Sequence, residues 1–131
     1  MFPYSDILPV LTVDDVAAAL DFYARAFGAE ELFRHMDGDR VGHAEFRIGD
    51  SRLALGDESP LHAALAPKAR GGTTVALTLF VDDVDAAFYR AVAEGASVRL
   101  PLAEEPWGQR AGWLGDPFGH VWYLSSRPAG E

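Results

Sequence analysis

The chain has 131 residues, with 11 Lys and Arg against 20 Asp and Glu and a formal net charge of −9. That balance excludes nucleic acid and anionic lipid surfaces as expected partners, because both reward clustered cations. Zero cysteines exclude disulfides, thiolate metal sites, iron–sulfur clusters and thiol nucleophiles together. The remaining composition, 49% hydrophobic and 24% charged, is that of a globular protein able to bury a core. No apolar run approaches the roughly 18 residues needed to span a bilayer. The start Met1-Phe2-Pro3-Tyr4-Ser5-Asp6 lacks the basic and apolar stretches of a signal peptide, so a cytoplasmic location is expected. The acidity suits a cationic or neutral small-molecule ligand.

In chain order, the apolar run at residues 7–11 predicts a strand. It leads into Val13-Asp14-Asp15-Val16-Ala17-Ala18-Ala19, which lies over Val81-Asp82-Asp83-Val84-Asp85-Ala86-Ala87 at an offset of 68 (13 to 81) with six of seven positions identical. The second copy is likewise preceded by an apolar run, at residues 74–80. After each copy an alanine-rich stretch predicts a helix, with Val16, Leu20, Tyr23 and Phe27 on one face of the first and Val84, Phe88 and Ala91 on one face of the second. The paired aspartates suit helix N-termini, and Gly28 and Gly95 stand where the helices should stop.

Each helix is followed by short alternating runs divided by turn residues. In the first half these are residues 41–48, the Gly49-Asp50-Ser51 turn and residues 52–55. In the second half they are residues 97–100, residues 110–114, the Asp116-Pro117-Phe118-Gly119 turn and residues 120–124. Each half therefore reads β-α-β-β-β. The expected organisation is a first module at residues 1–58, a linker at 59–73 holding a short helical turn within residues 61–66, and a second module at 74–131, with the end from residue 125 frayed.

Nucleophilic catalysis and dinucleotide or phosphate-loop binding find no motif, so no redox cofactor is indicated. His43 and Glu45, one residue apart on a predicted strand, share a face. They suit a metal-ligand pair, an acid–base pair or simply a hydrogen-bonded strand surface. His35 and His62 are expected in or near loops facing solvent, and His120 in a packing or turn role. Trp122, alternating on a strand, is expected under a helix. Trp107 lies between Pro106 and Gly108 after Glu104-Glu105, where a rigidly held indole suits either stacking on a planar ligand or a structural role.

Several of these segments, taken in order, resemble the vicinal oxygen chelate superfamily of glyoxalase I, extradiol dioxygenases, fosfomycin-modifying enzymes and bleomycin-resistance proteins. Pro9-Val10-Leu11-Thr12, Asp15-Val16, Asp21-Phe22-Tyr23 leading to Phe27-Gly28, Pro106-Trp107-Gly108 and Asp116-Pro117-Phe118-Gly119 look like the bleomycin-resistance branch. Trp107-Gly108-Gln109-Arg110 resembles the related mitomycin-binding proteins, and His43-Ala44-Glu45 with residues 116–122 a branch named for a phosphonate operon. The resemblance covers nearly the whole chain. It implies an α+β fold of two tandem βαβββ modules forming a curved mixed sheet around a pocket, with helices on the outer face, often in a homodimer.

Metal-dependent members of that superfamily hold a divalent ion with four His, Gln or Glu side chains. Carried over by the matched motifs, those places fall on Leu8, Ala54, Ala76 and Tyr123, none of which suits a divalent ion. The resemblance thus implies no metal, no cofactor and no catalytic residue. It points instead to an apolar, aromatic pocket for a planar aromatic or cationic antibiotic-like ligand. The expected ligand-binding residues are Trp107 and His43 by the matched motifs, Tyr123 as a pocket-floor hydroxyl, Thr78 and Phe80 by strand alternation from Ala76, and Arg110, which either meets a ligand oxygen or pairs with Glu104 or Glu105. The competing expectation is a glyoxalase-like lyase or isomerase using a relocated metal or acid–base site at His43 and Glu45.

Overall fold

The computed structural model describes residues 4–128 and divides into two compact units, Met1–Gly71 and Gly72–Glu131. Each unit is a four-stranded mixed sheet with one long helix against it, so the architecture is α+β and each unit is a βαβββ module.

In the first unit the strands are β1 (Val10–Val13), β2 (Glu30–Asp37), β3 (Arg40–Ile48) and β4 (Ser51–Asp57), in the order β1-β4-β3-β2. β1 runs parallel to β4 and the other pairs are antiparallel. The first strand begins at Val10, later than the apolar run suggests. Pro9 has no N–H to give the ladder, and it contributes only its carbonyl, which accepts from Ala54 N at 2.9 Å. Helix α1 (Val16–Phe27) starts where the Asp15 carboxylate accepts from Ala18 N at 3.0 Å. It ends at Gly28, whose φ of 70° is open to glycine at no steric cost. Its buried face carries Val16, Leu20 and Tyr23, and the Tyr23 ring stacks on Phe46 of β3 with centroids 5.4 Å apart. Residues 41–48 and 52–55 are strand as expected. The expected helical turn within residues 61–66 overlaps the short helix at Pro60–His62, and a second one, α2 (Pro67–Arg70), follows that stretch. Each of these opens on a proline, whose fixed φ suits a first helical position.

The second unit repeats the plan with β5 (Ala76–Val81), α3 (Val84–Ala93), β6 (Ser97–Glu104), β7 (Arg110–Gly115) and β8 (Val121–Ser126), in sheet order β5-β8-β7-β6. Asp83 caps α3 by accepting from Ala86 N at 3.1 Å, as Asp15 caps α1. Phe88 of α3 packs on Gly112, where an added Cβ would lie 2.6 Å from the Phe88 ring, 3.1 Å from Leu102 N and 3.2 Å from Leu100 O. With backbone on two sides and a buried ring on the third, Gly112→Ala is expected to destabilise the protein by about 1–3 kcal/mol through overpacking. A urea midpoint unchanged by this substitution would contradict that.

The turn at residues 116–119 is built around one buried carboxylate. Asp116 Oδ1 accepts from Phe118 N (2.9 Å) and His120 N (3.0 Å), and Oδ2 accepts from Trp122 Nε1 (2.9 Å). Trp122 is buried on the helix side of β8 and His120 is buried beside the turn. Residues 125 and 126 are not frayed. They complete β8 because Gln109 Nε2 donates to Ser125 Oγ and Ser126 O, both at 2.8 Å, and Arg110 N donates to Ser126 Oγ at 3.0 Å. Residues 127 and 128 follow the strand, with Arg127 Nε donating to Asp82 Oδ1 at 2.9 Å, whereas residues 129–131 of the expected frayed end and residues 1–3 of the N-terminal segment lie outside the described residues. No helix among the described residues is long and apolar enough to cross a membrane.

Candidate functional site

In each unit the helix covers one face of the sheet and strand alternation sends every second side chain to the other, open face. On the first unit's open face His43 and Glu45 of β3 stand side by side, with His43 Nε2 3.7 Å from Glu45 Oε2. Glu45 is 7% exposed at its side chain and is held from the other side by Arg52, whose Nε donates to Oε1 at 2.7 Å. Arg52 Nη2 also donates to the Tyr4 hydroxyl oxygen at 3.0 Å, and that hydroxyl donates to Glu45. Burial alone would push the Glu45 carboxyl up. The Tyr4 and Arg52 hydrogen bonds, the Arg52 charge and His43 together outweigh burial and hold it below the ordinary glutamate range. His35 lies on strand β2, not in a loop, directly across from His43. Phe33, His35 and His43 form a patch of rings with centroids 5.3 to 6.3 Å apart.

On the second unit's open face, Ala76, Thr78 and Phe80 of β5 lie beside Val121, Tyr123 and Ser125 of β8, and Tyr123 faces Trp113 of β7. The Trp113 and Tyr123 rings are 4.6 Å apart at a tilt of 46°. Thr78 is exposed and Phe80 is 41% exposed. The Tyr123 hydroxyl oxygen is buried with no hydrogen-bond partner among the described residues. Burial, and then the Glu105 charge, raise the Tyr123 pKa, so the phenol is firmly protonated and a donor. Trp107 occupies the hairpin between β6 and β7, closed by Gly108 N to Glu105 O (2.9 Å) and Glu105 N to Gln109 O (2.8 Å), and its indole is 62% exposed.

Arg110 does not join this face. Its guanidinium points to the helix side, where Nε and Nη2 donate to the two carboxylate oxygens of Asp85 on α3 at 2.7 and 3.1 Å, with Glu104 at 3.7 Å. Of the expected ligand-binding residues, Tyr123, Thr78 and Phe80 thus share one open face, Trp107 crowns the adjoining hairpin, His43 belongs to the first unit's face, and Arg110 is committed to α3. Trp113, Phe33 and His35 were missed; Trp113 joins Tyr123 only through the β7–β8 register, which alternation along a single strand does not give.

The registers also bear on the four places where the resembled superfamily holds a metal. Val10 pairs with Ala54 and Thr78 with Tyr123, so Ala54 and Tyr123 occupy equivalent positions in the two units. Three hydrocarbon side chains and a protonated phenol offer a divalent ion neither imidazole nor carboxylate, and the residues present do not fit such an ion. Among the described residues no group of three or more His, Asp or Glu side chains is gathered to hold a metal.

Comparison with known proteins bears on the fold and on kinship. The family described as Glyoxalase/Bleomycin resistance protein/Dioxygenase superfamily matches residues 7–124. Uncharacterized proteins of Mycobacterium bovis and Mycobacterium tuberculosis are 44% identical over 120 residues, which is 88% of this chain and 79% and 71% of theirs. Among solved structures, TioX from Micromonospora sp. ML1 is similar with a TM-score of 0.73 and 28% identity over 97% of this chain and 99% of that one. The fosfomycin resistance protein FosX from Mesorhizobium loti shares the fold, with a TM-score of 0.67 and 18% identity over 97% and 95% of the two chains.

Proposed function

Because the chain belongs to the Glyoxalase/Bleomycin resistance protein/Dioxygenase superfamily, yet carries no metal-binding chemistry at the four matched places, we propose that it is a metal-independent small-molecule-binding protein that holds a planar aromatic ligand without changing it. The observation that carries this reading is Tyr123. It stands where the superfamily's metal-dependent members place a carboxylate ligand, and it offers a buried, unpartnered hydroxyl 4.6 Å, ring to ring, from Trp113. A donor left unpaired in a dry environment costs about 1–3 kcal/mol, and a ligand oxygen accepting from it would remove that cost. Trp113, Phe80 and Trp107 supply ring surface for stacking.

A lyase or isomerase acting through His43 and Glu45 is supported less well. A carboxylate serving as a base near neutral pH is normally tuned upward, whereas Glu45 is held low by Arg52 and Tyr4.

The test has two arms. Protein purified without chelator is expected to contain no stoichiometric zinc, nickel, manganese or iron by elemental analysis, and to rebind none tightly on titration. Tryptophan fluorescence of the same sample is expected to respond saturably to planar aromatic compounds, and to lose most of that response in Tyr123→Phe. One tightly held divalent ion per chain, or turnover abolished by His43→Ala and Glu45→Gln, would overturn the proposal in favour of an enzyme.

A further inference from the structure

We infer that the ligand carries an anionic oxygen, as an aromatic carboxylate does, and that Arg99 receives it. This inference rests on the reading that the second unit's open face binds a planar ring system. Arg99 sits at the irregularity where the β6–β7 register passes from Val98 opposite Leu114 to Leu100 opposite Trp113. A bulge of this kind re-aims the extra residue's side chain. Here the guanidinium lies against Gly115, where an added Cβ would come within 2.8 Å of Arg99 Nε, 3.3 Å of Nη2 and 3.1 Å of Ser97 Oγ. Glycine at 115 thus leaves the recess that the guanidinium occupies. Gly115 follows Trp113 at strand spacing and pairs with Val121, so the recess opens on the same face as Trp113 and Tyr123.

Arg99 differs in its partners from most arginines of the chain. Arg34, Arg40, Arg47, Arg52, Arg110 and Arg127 each hold a carboxylate. Arg99 has none among the described residues, although acidic side chains outnumber basic ones 20 to 11. The open face therefore presents two donors for a ligand oxygen, the exposed Arg99 guanidinium, which has no carboxylate partner among the described residues, and the buried Tyr123 hydroxyl, with the Trp113 ring beside them. Val121 and Tyr123 are two residues apart on β8, roughly 7 Å, which is about the length of a fused ring system.

The face is also polarised along the strands. Arg99 marks the Gly115 end, whereas Glu105 marks the hairpin end, where its charge reaches Tyr123. A ligand with its acidic group at Arg99 and its ring over Trp113 and Tyr123 satisfies both ends, and the reverse orientation would set two anions together. The net charge of −9 favours approach of cations, but that long-range field governs encounter more than the bound state, which is decided by the groups in contact.

Three planar tricycles separate the possibilities: anthraquinone-2-carboxylate, neutral acridone and cationic proflavine, each titrated calorimetrically in 0.15 and 0.5 M salt. Anthraquinone-2-carboxylate is expected to bind about tenfold tighter than acridone, as a charge-assisted pair would give, with proflavine weakest in 0.5 M salt. Arg99→Gln should erase the preference for the carboxylate while leaving acridone affinity and the melting temperature unchanged, and Arg99→Lys should restore part of it. Unchanged carboxylate affinity in Arg99→Gln, or proflavine binding tightest in 0.5 M salt, would overturn this assignment and leave the binding-protein reading in place. If none of the three probes binds to folded protein, both fall.

Discussion

Replacing Asp116 with alanine is expected to cost about 3–5 kcal/mol, because three buried donors lose their acceptor at once and each such loss costs about 1–3 kcal/mol. The donors are Phe118 N, His120 N and Trp122 Nε1, all within 3.0 Å of the carboxylate, and the surroundings are buried, with Asp116 at 7% and Trp122 at 2% exposure. Water cannot reach the orphaned groups without opening the turn between β7 and β8, and β8 is an interior strand of its sheet. Thermal melts should show a drop of about 10–20 °C for a chain of this size. Asp116→Asn keeps one acceptor oxygen for the two backbone donors but turns an amide toward the indole, so it should fall between the wild type and Asp116→Ala. Equal stability of Asp116→Ala and wild type would mean that the turn is held by its backbone bonds, Asp116 N to His120 O and Gly119 N to Asp116 O, and not by the side chain.

The same residue shows what could be read before any coordinates. Asp-Pro-Phe-Gly announces a turn by composition, and the turn is there, but nothing local in the chain says that its aspartate gathers an indole six residues on. The helices were legible at both ends for a local reason. Caps act within one turn of helix, so Asp15, Asp83 and Gly28 carry their message in adjacent residues, and the repeat doubles it. Strand β2 was not legible. It is a sheet edge whose residues are mostly exposed on both faces, so the period-two pattern that marks a half-buried strand never develops. The later start of β1 follows from Pro9, whose missing N–H the apolar pattern does not register.

The candidate site divides along the same line. Tyr123 and Ala76 come from the family resemblance, and Thr78 and Phe80 follow from Ala76 by alternation, which needs only strand period and a starting residue. Arg110 was weighed against Glu104 and Glu105, its near neighbours in sequence, but its principal partner is Asp85, 25 positions away and on the helix. That pair becomes visible only once α3 is laid on β7. Arg99 carried no signal at all. Its place on the open face depends on a register shift in β6 and on the absence of a side chain at Gly115, and neither is a property of the residues around it in sequence.

The second large effect is expected at Glu45. Glu45→Ala should destabilise the first unit by about 2–3 kcal/mol, below the 3–5 kcal/mol of a fully buried pair, because Arg52 retains 15% exposure and its bond to Tyr4. The loss arises less from the attraction removed than from the guanidinium left behind on a face that no longer compensates it. The sign of the pH dependence follows from the depressed folded-state pKa. A carboxyl that binds its proton less readily when folded contributes stability above its unfolded pKa, near the ordinary glutamate value, and loses that contribution as pH falls through the lower folded value. Wild type should therefore lose stability relative to Glu45→Ala on acidification below about pH 4.5, with the two curves parallel above it. Urea midpoints measured from pH 7 down to pH 3 decide the matter. Curves that stay parallel throughout would show that Glu45 is not the charged partner of Arg52. Curves that converge would establish the pair as a fixed structural clamp, consistent with a binding protein and not with a base that must exchange protons at neutral pH.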